Sequence, residues 1–145
     1  MLFRSEVSKK FKIIWPLHPR TKIKLKEFNL FGKLNSAVEF LKPQGYLNMI
    51  KLQKKASLIV TDSGGLQKEA YFLKTPCVTL REETEWIELV DAKWNVVCPP
   101  KSKNKIIKTI IKQINSIGLK RNLYGNGSSA TSIVSEITKF LINKI

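Results

Sequence analysis

The sequence predicts a three-layer α/β fold, in which helices cover both faces of a parallel sheet. Short apolar runs with β-branched residues recur along the chain, as strands buried on both faces require. Stretches with helical spacing of apolar residues separate these runs, and such alternation is typical of parallel sheets with crossover helices. Sheets of this kind bind ligands beyond the carboxyl ends of their strands. The loops that follow the strands are therefore the first places to look for a site.

Five short apolar runs are the predicted strands. In chain order they are residues 11–15, 38–41, 57–61, 76–80 and 94–98. Four have the brevity and the composition of buried strands, and the run 38–41 is a shorter fifth candidate. Their brevity distinguishes them from helices, which need ten or more residues to form several turns.

Helical patterns fill the intervals between the strands and continue after the last one. The first four cover about residues 20–28, 46–55, 65–73 and 85–92. Two more follow from apolar residues at helical spacing, at Ile106, Ile110, Ile114 and Ile117 and at Ile133, Ile137, Phe140 and Leu141. No internal repeat, low-complexity tract or linker interrupts the pattern. The chain is predicted to form a single domain over residues 1–145.

Composition narrows the class of protein. A chain of 145 residues that is 43% hydrophobic can bury a substantial core. No apolar run approaches the roughly 20 residues that span a bilayer, so a membrane partner is not expected. Cys77 and Cys98 lie in apolar runs without a Cys-x-x-Cys partner or a neighbouring histidine. They are interpreted as core residues of a cytoplasmic protein, and no metal or cofactor is predicted.

The net charge of +15 raises the alternative of a nucleic-acid-binding protein. Two features weaken it. The cations are 22 Lys and only 4 Arg, whereas readers of bases and phosphates favour the planar fork of arginine. The lysines are also scattered, without the interleaved aromatic residues of a stacking surface. A solvated, lysine-rich surface is favoured, with non-specific attraction to nucleic acid at low salt only.

Acidic residues are concentrated in one segment. Between positions 62 and 91, seven acids face three cations, so this segment carries −4 and the remainder carries +19. Carboxylates gathered within a basic chain suggest a site that accepts hydrogen bonds from the hydroxyl groups of a ribose or sugar. The alternative is an acidic helix face, in which Glu85 and Glu88 lie in the first turn of a helix capped by Thr84.

The strongest local signal is the turn after the third predicted strand, where Ser63-Gly64-Gly65 precedes a helix. Glycines let the backbone approach a ligand closely and adopt conformations closed to other residues. The helix start offers unpaired N–H groups and a positive dipole end to a phosphate, and the Ser63 hydroxyl adds a donor. Glu69, one and a half turns further on, is placed to accept hydrogen bonds from ribose hydroxyls. An ordinary tight turn with a capping Asp62 or Ser63 is the alternative.

The segment 61–70, Thr-Asp-Ser-Gly-Gly-Leu-Gln-Lys-Glu-Ala, resembles the non-hydrolysing UDP-N-acetylglucosamine 2-epimerases. Segments 73–81 and 84–88 continue the resemblance, and Pro16-Leu17-His18-Pro19-Arg20 is similar to the Pro-x-His motif of that family. Gly45-Tyr46-Leu47 and Trp94-Asn95-Val96 also occur in the expected order. The resemblance extends over about residues 12–130. Lys74 and Lys93 depart from it, because the family often has glycine there.

The resemblance implies two Rossmann-like domains of the glycosyltransferase-B type, with the substrate between them and this chain as the C-terminal one. The ligand it implies is UDP or a UDP-N-acetylhexosamine. Its diphosphate is assigned to the turn at Ser63, Gly64 and Gly65, and its ribose hydroxyls are assigned to Glu69.

Two further residues are catalytic candidates by the same resemblance. His18 follows the first predicted strand and is assigned to the phosphate side of the site, although an isolated histidine is more often structural. Arg81 ends the fourth predicted strand, where a fixed cation can stabilise departing UDP. Its alternative role is an ion pair with Glu82, Glu83 or Glu85.

The family interconverts UDP-N-acetylglucosamine and UDP-N-acetylmannosamine, and the resemblance places the necessary carboxylic acids in an N-terminal domain that this chain lacks. The chain is therefore expected to be an isomerase half that is inactive alone and needs that domain for turnover, either as a truncated form or as a split form whose N-terminal domain is encoded separately. A non-catalytic UDP-sugar-binding module or a half domain of a glycosyltransferase is the second hypothesis. A basic nucleic-acid binder is the third.

Overall fold

The computed structural model describes residues 6–143 and, among these, every side chain except that of Asn35. Its five strands are β1 Ile14–Pro16, β2 Glu39–Leu41, β3 Ile59–Thr61, β4 Cys77–Thr79 and β5 Asn95–Val97. Every hydrogen-bonded pair of these strands is parallel, as predicted. The strands form two ladders, a pair β1–β2 and a three-stranded sheet in the order β3–β4–β5.

In the described part of the chain, from residue 14 onward, seven helices connect and follow the strands. They are α1 Pro19–Glu27, α2 Phe31–Asn35, α3 Tyr46–Lys55, α4 Gly64–Phe72, α5 Ile87–Asp91, α6 Lys103–Gln113 and α7 Ser129–Ile142. Six correspond to predicted helices, and α2 was not predicted because five residues give no helical period to detect. None of the helices in residues 6–143 combines the length and the apolar character that a membrane span requires.

The three-stranded sheet carries helices on both faces. Successive side chains of β4 point to opposite faces of the sheet, and each packs against a different helix. Val78 packs with Ile106 and Ile110 of α6, and all three are buried. Its neighbour Cys77 packs with Ala70 of α4. This arrangement confirms the predicted layers. It also fixes the start of α4 beside the carboxyl end of β3.

The β1–β2 pair has its own apolar cluster, formed by Leu17, Leu25, Leu34 and Val38. Ile13 packs against this cluster and also against the cluster on the α6 face of the other sheet. Packing through Ile13 therefore links the two ladders.

Both lysines at expected glycine positions adopt the left-handed backbone. The φ angle is 57° at Lys74 and 61° at Lys93, each just after a helix. The turns keep the hydrogen bonds of a helix terminus, from Thr75 N to Ala70 O at 2.9 Å and from Trp94 N to Leu89 O at 3.0 Å. The chain thus retains the turns while accepting a conformation that disfavours a side chain.

Helix α6 ends earlier than its isoleucines predict. It stops at Gln113, and Ile117 lies outside it and is largely exposed. Gly118 then packs directly on Trp94, since a Cβ at Gly118 would lie 2.5 Å from the indole ring. The Trp94 indole N–H donates to the carbonyl of Leu119 at 3.0 Å. This tertiary contact requires the chain to leave the helix, and it overrides the helical pattern.

Candidate functional site

The turn between β3 and α4 presents an open helix start. Ser63 is the N-cap residue, with an extended backbone, and its side chain makes no capping hydrogen bond to α4. The Ser63 N–H donates instead to Thr61 Oγ1 at 3.0 Å. The first amide groups of a helix have no partner within the helix. Because the Ser63 side chain does not cap α4, its hydroxyl and these amide groups can bind an anion.

The two glycines of the turn have ordinary helical backbones, since the positive φ values among the described glycines occur at Gly125 and Gly127. The expectation that Gly64 and Gly65 supply a conformation closed to other residues is therefore wrong. What the glycines provide is room for neighbouring groups, and only at Gly64 is that room filled. A Cβ on Gly64 would collide with the carboxylate of Glu85, and a Cβ on Gly65 would meet only Ser63 Oγ, at 4.0 Å.

A carboxylate of the protein lies against the first turn of α4. Glu85 places one oxygen beside Gly64 and the other 2.8 Å from a guanidinium nitrogen of Arg81. Both side chains are partly exposed, 37% for Arg81 and 46% for Glu85. The ion pair predicted as the alternative role of Arg81 is thus present, with Glu85 as its partner. The same pair brings Arg81 and its positive charge to the start of α4.

Trp86 and Lys68 line the same side of the turn. The Trp86 indole N–H donates to the carbonyl of Gly64 at 3.0 Å. The Lys68 ammonium lies 4.0 Å from the centre of a Trp86 ring and 4.3 Å from that of Tyr124. A cation held over two ring faces in this way is stabilised by their electron density. Lys68 therefore adds a second positive charge over Trp86, the residue that bonds to the first residue of α4.

Tyr124 fixes the outer wall of this cluster by donating its hydroxyl to Glu88 at 2.7 Å. That hydrogen bond lowers the pKa of the Glu88 carboxyl. Burial, followed by the hydrogen bond to Glu88, raises the pKa of the Tyr124 phenol. Glu88 lies in the first turn of α5, whereas Glu85 precedes that helix, which begins at Ile87 rather than after Thr84.

A buried polar network supports the turn from below, and sequence reasoning did not single it out. The side-chain amide oxygen of Gln67, Oε1, accepts hydrogen bonds from Thr84 Oγ1 at 2.6 Å and from Asn95 Nδ2 at 2.8 Å. Thr79 Oγ1 donates to Asn95 Oδ1 at 2.8 Å, and Gln67 Nε2 donates to the carbonyl of Ser63 at 3.4 Å. Gln67, Thr79 and Asn95 are buried. The network connects the turn to α4, β4 and β5, so it holds the helix start rigidly.

Glu69 is half-buried on α4 and accepts a hydrogen bond from Gln53 Nε2 of α3 at 2.6 Å. Sequence reasoning missed Gln53. The available signal was a polar residue on the inner face of a helix, where apolar residues are usual.

His18 lies at the carboxyl end of β1 as the N-cap residue of α1. It is exposed, and its Nδ1 accepts a hydrogen bond from the Arg20 N–H at 3.3 Å. Both β1 and β3 lead into a helix from their carboxyl ends, but they belong to separate ladders and not to one hydrogen-bonded sheet. The hydrogen bond that the structure gives His18 is nevertheless local and does not reach the turn at Ser63.

Both cysteines are buried and unpaired, as predicted. Burial raises the pKa of the Cys77 thiol to about 12. Within residues 6–143, no group of three His, Cys, Asp or Glu side chains is arranged to hold a metal ion.

Comparison with known proteins gives the family. The family model for UDP-N-acetylglucosamine 2-epimerase matches residues 1–138. A UDP-N-acetylglucosamine 2-epimerase of Methanocaldococcus jannaschii is 46% identical over 128 residues, which are 87% of this chain and 35% of that protein. A UDP-2,3-diacetamido-2,3-dideoxy-D-glucuronate 2-epimerase of Pseudomonas aeruginosa is 39% identical over 131 residues, with 88% and 35% covered.

The fold agrees with that result. The crystal structure of the M. jannaschii UDP-GlcNAc 2-epimerase in complex with UDP-GlcNAc and UDP superposes with a TM-score of 0.79 at 45% identity, covering 92% of this chain and 37% of that one. The chain thus spans little more than a third of the length of the relatives it matches, and it corresponds to their C-terminal part. On these grounds the chain belongs to the UDP-N-acetylglucosamine 2-epimerase family.

Proposed function

We propose that this chain binds the UDP part of a UDP-N-acetylhexosamine at the turn between β3 and α4, as the nucleotide-binding half of a UDP-N-acetylglucosamine 2-epimerase. The observation that carries the proposal is the uncapped start of α4, with the Ser63 hydroxyl and the cations of Arg81 and Lys68 beside it. A diphosphate needs several N–H and O–H donors and a positive field, and this turn supplies both.

Each site residue has a distinct role in this proposal. The diphosphate accepts hydrogen bonds from Ser63 and from the amide groups at Gly64 and Gly65. The ribose hydroxyls donate to Glu69, about one and a half turns along α4. Arg81 leaves Glu85 to pair with the phosphate and stabilises the negative charge of UDP when the bond to the sugar breaks.

His18 completes the phosphate side from the end of β1. Its Nε2 is free of the hydrogen bond that occupies Nδ1, so it can donate to a phosphate oxygen. This role requires the ligand to bridge the ends of β1 and β3.

The proposal assigns the epimerisation itself to a complete two-domain protein. Removal and return of a proton need positioned acids, and the relatives are nearly three times as long as the matched region. The exposed apolar face of α7 supports the presence of a further protein surface that packs against this helix. Six large apolar side chains of this helix are 54–65% exposed, namely Ile133, Val134, Ile137, Phe140, Leu141 and Ile142. A contiguous apolar face of this kind is usually covered by protein.

The sugar is not assigned to this chain. Two relatives that match it over similar lengths are named for different UDP-sugars, a UDP-N-acetylglucosamine and a UDP-diacetamido-glucuronate. We place the sugar contacts on the opposite wall of the cleft and the UDP contacts here. A UDP-sugar-binding module without turnover would share these contacts, and so would the matching half of a glycosyltransferase.

Calorimetric titration with UDP tests the binding proposal. We expect UDP to bind, and we expect both Ser63→Ala and Glu69→Ala to weaken binding by about tenfold or more, since each removes a hydrogen bond to a charged or hydroxyl group. Ser129→Ala and Glu136→Ala are matched controls on the exposed helix α7. Absence of binding, or equal binding by all five proteins, would refute the proposal. The protein is also titrated with a short DNA duplex at moderate salt, which tests the alternative that the basic surface binds nucleic acid.

An assay for epimerisation separates the enzyme from the binding module. We expect no turnover of UDP-N-acetylglucosamine by this chain alone and turnover after addition of an N-terminal domain from a close relative. Turnover by the isolated chain would contradict the assignment of the catalytic acids to the other domain.

A further inference from the structure

The amide of Gln53 is buried between α3 and α4 and makes one strong hydrogen bond. Gln53 is only 4% exposed, and its Nε2 donates to Glu69 Oε2 at 2.6 Å. The amide oxygen is also buried and finds no hydrogen-bond partner among the described residues. The side chain thus satisfies one end of its amide and leaves the other unsatisfied.

Such a residue is a poor choice for stability. Burying an amide oxygen without a partner costs free energy, and an apolar side chain of similar size avoids that cost. The second contact in this region does not explain the choice, because Thr75 Oγ1 donates at 3.0 Å to the main-chain carbonyl of Gln53 and not to its side chain. Any residue at position 53 would keep that bond.

The benefit of the amide therefore lies in what it does to Glu69. We propose that Gln53 is the positioning residue for the Glu69 carboxylate, which it orients to receive the ribose hydroxyls of the nucleotide. This inference rests on the proposed function. One carboxylate oxygen is fixed by the amide N–H, and the other is left to accept hydrogen bonds from a ligand.

A neutral donor suits this task better than a cation would. A lysine or arginine at position 53 would neutralise the carboxylate and compete with the ribose for both oxygens. The glutamine amide restricts the rotamer of Glu69 while leaving its negative charge and one oxygen in place. Holding an acceptor in its binding geometry before the ligand arrives lowers the entropy cost of binding.

The inference predicts opposite effects on stability and on binding when Gln53 is replaced by methionine, which has a similar volume and no hydrogen-bonding group. We expect Gln53→Met to melt at the same temperature as the unaltered protein or higher. We expect it to bind UDP about three- to tenfold more weakly, because Glu69 is no longer held. A structural role for Gln53 would lower the melting temperature instead.

The ribose specificity of this effect is tested with the 2′,3′-dideoxy analogue of UDP, which lacks both hydroxyls. The unaltered protein should prefer UDP over the analogue, and Glu69→Ala should remove the preference. Gln53→Met should reduce the preference about three- to tenfold without weakening binding of the analogue. Gln113→Met, which replaces a buried glutamine that donates to the carbonyl of Lys93 far along the chain, is the control and should keep the preference.

Two results would overturn the inference, and they are distinguishable from failure of the proposed function. If Glu69→Ala abolishes the preference for UDP and Gln53→Met retains it, nucleotide binding stands and the role of Gln53 falls. If Gln53→Met lowers the melting temperature as much as Gln67→Met, whose amide has hydrogen-bond partners at both its oxygen and its nitrogen, Gln53 is structural. If the unaltered protein binds no UDP, both the function and this inference fall.

Discussion

The carboxylate of Glu85 occupies the space beside Gly64 that a phosphate at the start of α4 requires. It also holds Arg81 through the ion pair at 2.8 Å. We therefore expect Glu85 to compete with the diphosphate of UDP for both groups. Replacing it with glutamine keeps the size of the side chain and removes the charge. Glu85→Gln should bind UDP more tightly than the unaltered protein.

The magnitude follows from the two contacts that UDP must displace. An exposed carboxylate near a helix N-terminus contributes about 0.3–1 kcal/mol. An exposed ion pair contributes about 0.2–1 kcal/mol, and both partners here are more than a third exposed. Together these give about 0.5–2 kcal/mol. Since 1.4 kcal/mol corresponds to a factor of ten, the dissociation constant for UDP should fall about two- to thirtyfold.

Calorimetric titration at low and at high salt measures this effect. The gain from Glu85→Gln should shrink at about 0.5 M salt, because screening weakens the competition between exposed charges. Glu82→Gln is the matched control. It removes a carboxylate three residues away that pairs with Lys101 at 3.1 Å instead of with Arg81. If Glu85→Gln binds UDP no more tightly than Glu82→Gln at low salt, Glu85 does not compete for the site.

Two further predictions concern stability and reactivity. Lys74→Gly should raise the free energy of unfolding by about 0.5–1 kcal/mol in urea denaturation. The left-handed backbone at Lys74 costs about 1–2 kcal/mol, and glycine removes that cost but loses more conformational entropy on folding, so only part of the cost is recovered. A decrease would show that the lysine side chain outweighs the strain. Cys77 should react with a thiol reagent at pH 8 only as fast as the protein unfolds, because burial raises its pKa from 9.0 to about 12 and keeps the folded thiol protonated. Because the unfolded thiol ionises first, Cys77 should lower stability as pH rises from about 9 towards 12, and Cys77→Ala should reduce this loss.

The alternation of strands and helices was predictable because each element carries its own period. The runs at 57–61, 76–80 and 94–98 contain β3, β4 and β5. Strand β3 begins two residues after the start of its run, and β4 and β5 are one residue shorter than their runs at each end. The end of α6 was not predictable, since the isoleucine spacing continues to Ile117 while Gly118 must fit against Trp94. Contacts between residues distant in sequence decided that boundary. Local patterns contain no information about them.

The site shows the same division between local and distant information. The turn at Ser63 follows from the order of strand, glycines and helix, and the structure has that order. The buried amides of Gln53 and Gln67 belong to the site through hydrogen bonds to Glu69 and Asn95, which are 16 and 28 residues away. A polar residue at a buried helical position was the signal that such partners exist. Only the fold identifies them.

The acidic segment between positions 62 and 91 shows that the bonding partners of each carboxylate say more about its role than the number of acidic residues does. Its charge of −4 suggested a site that accepts hydrogen bonds from hydroxyl groups. In the structure, Glu82 and Glu85 pair with cations, and such carboxylates have part of their charge neutralised by the protein. Glu69 instead receives its hydrogen bond from a neutral amide and keeps its full charge. Two carboxylates of the segment are held by neutral donors, Glu88 by the Tyr124 hydroxyl and Glu69 by the Gln53 amide. Of these, Glu69 lies on α4, the helix that begins at the turn, and on that ground we propose Glu69 as the member of the segment that accepts the ribose hydroxyls.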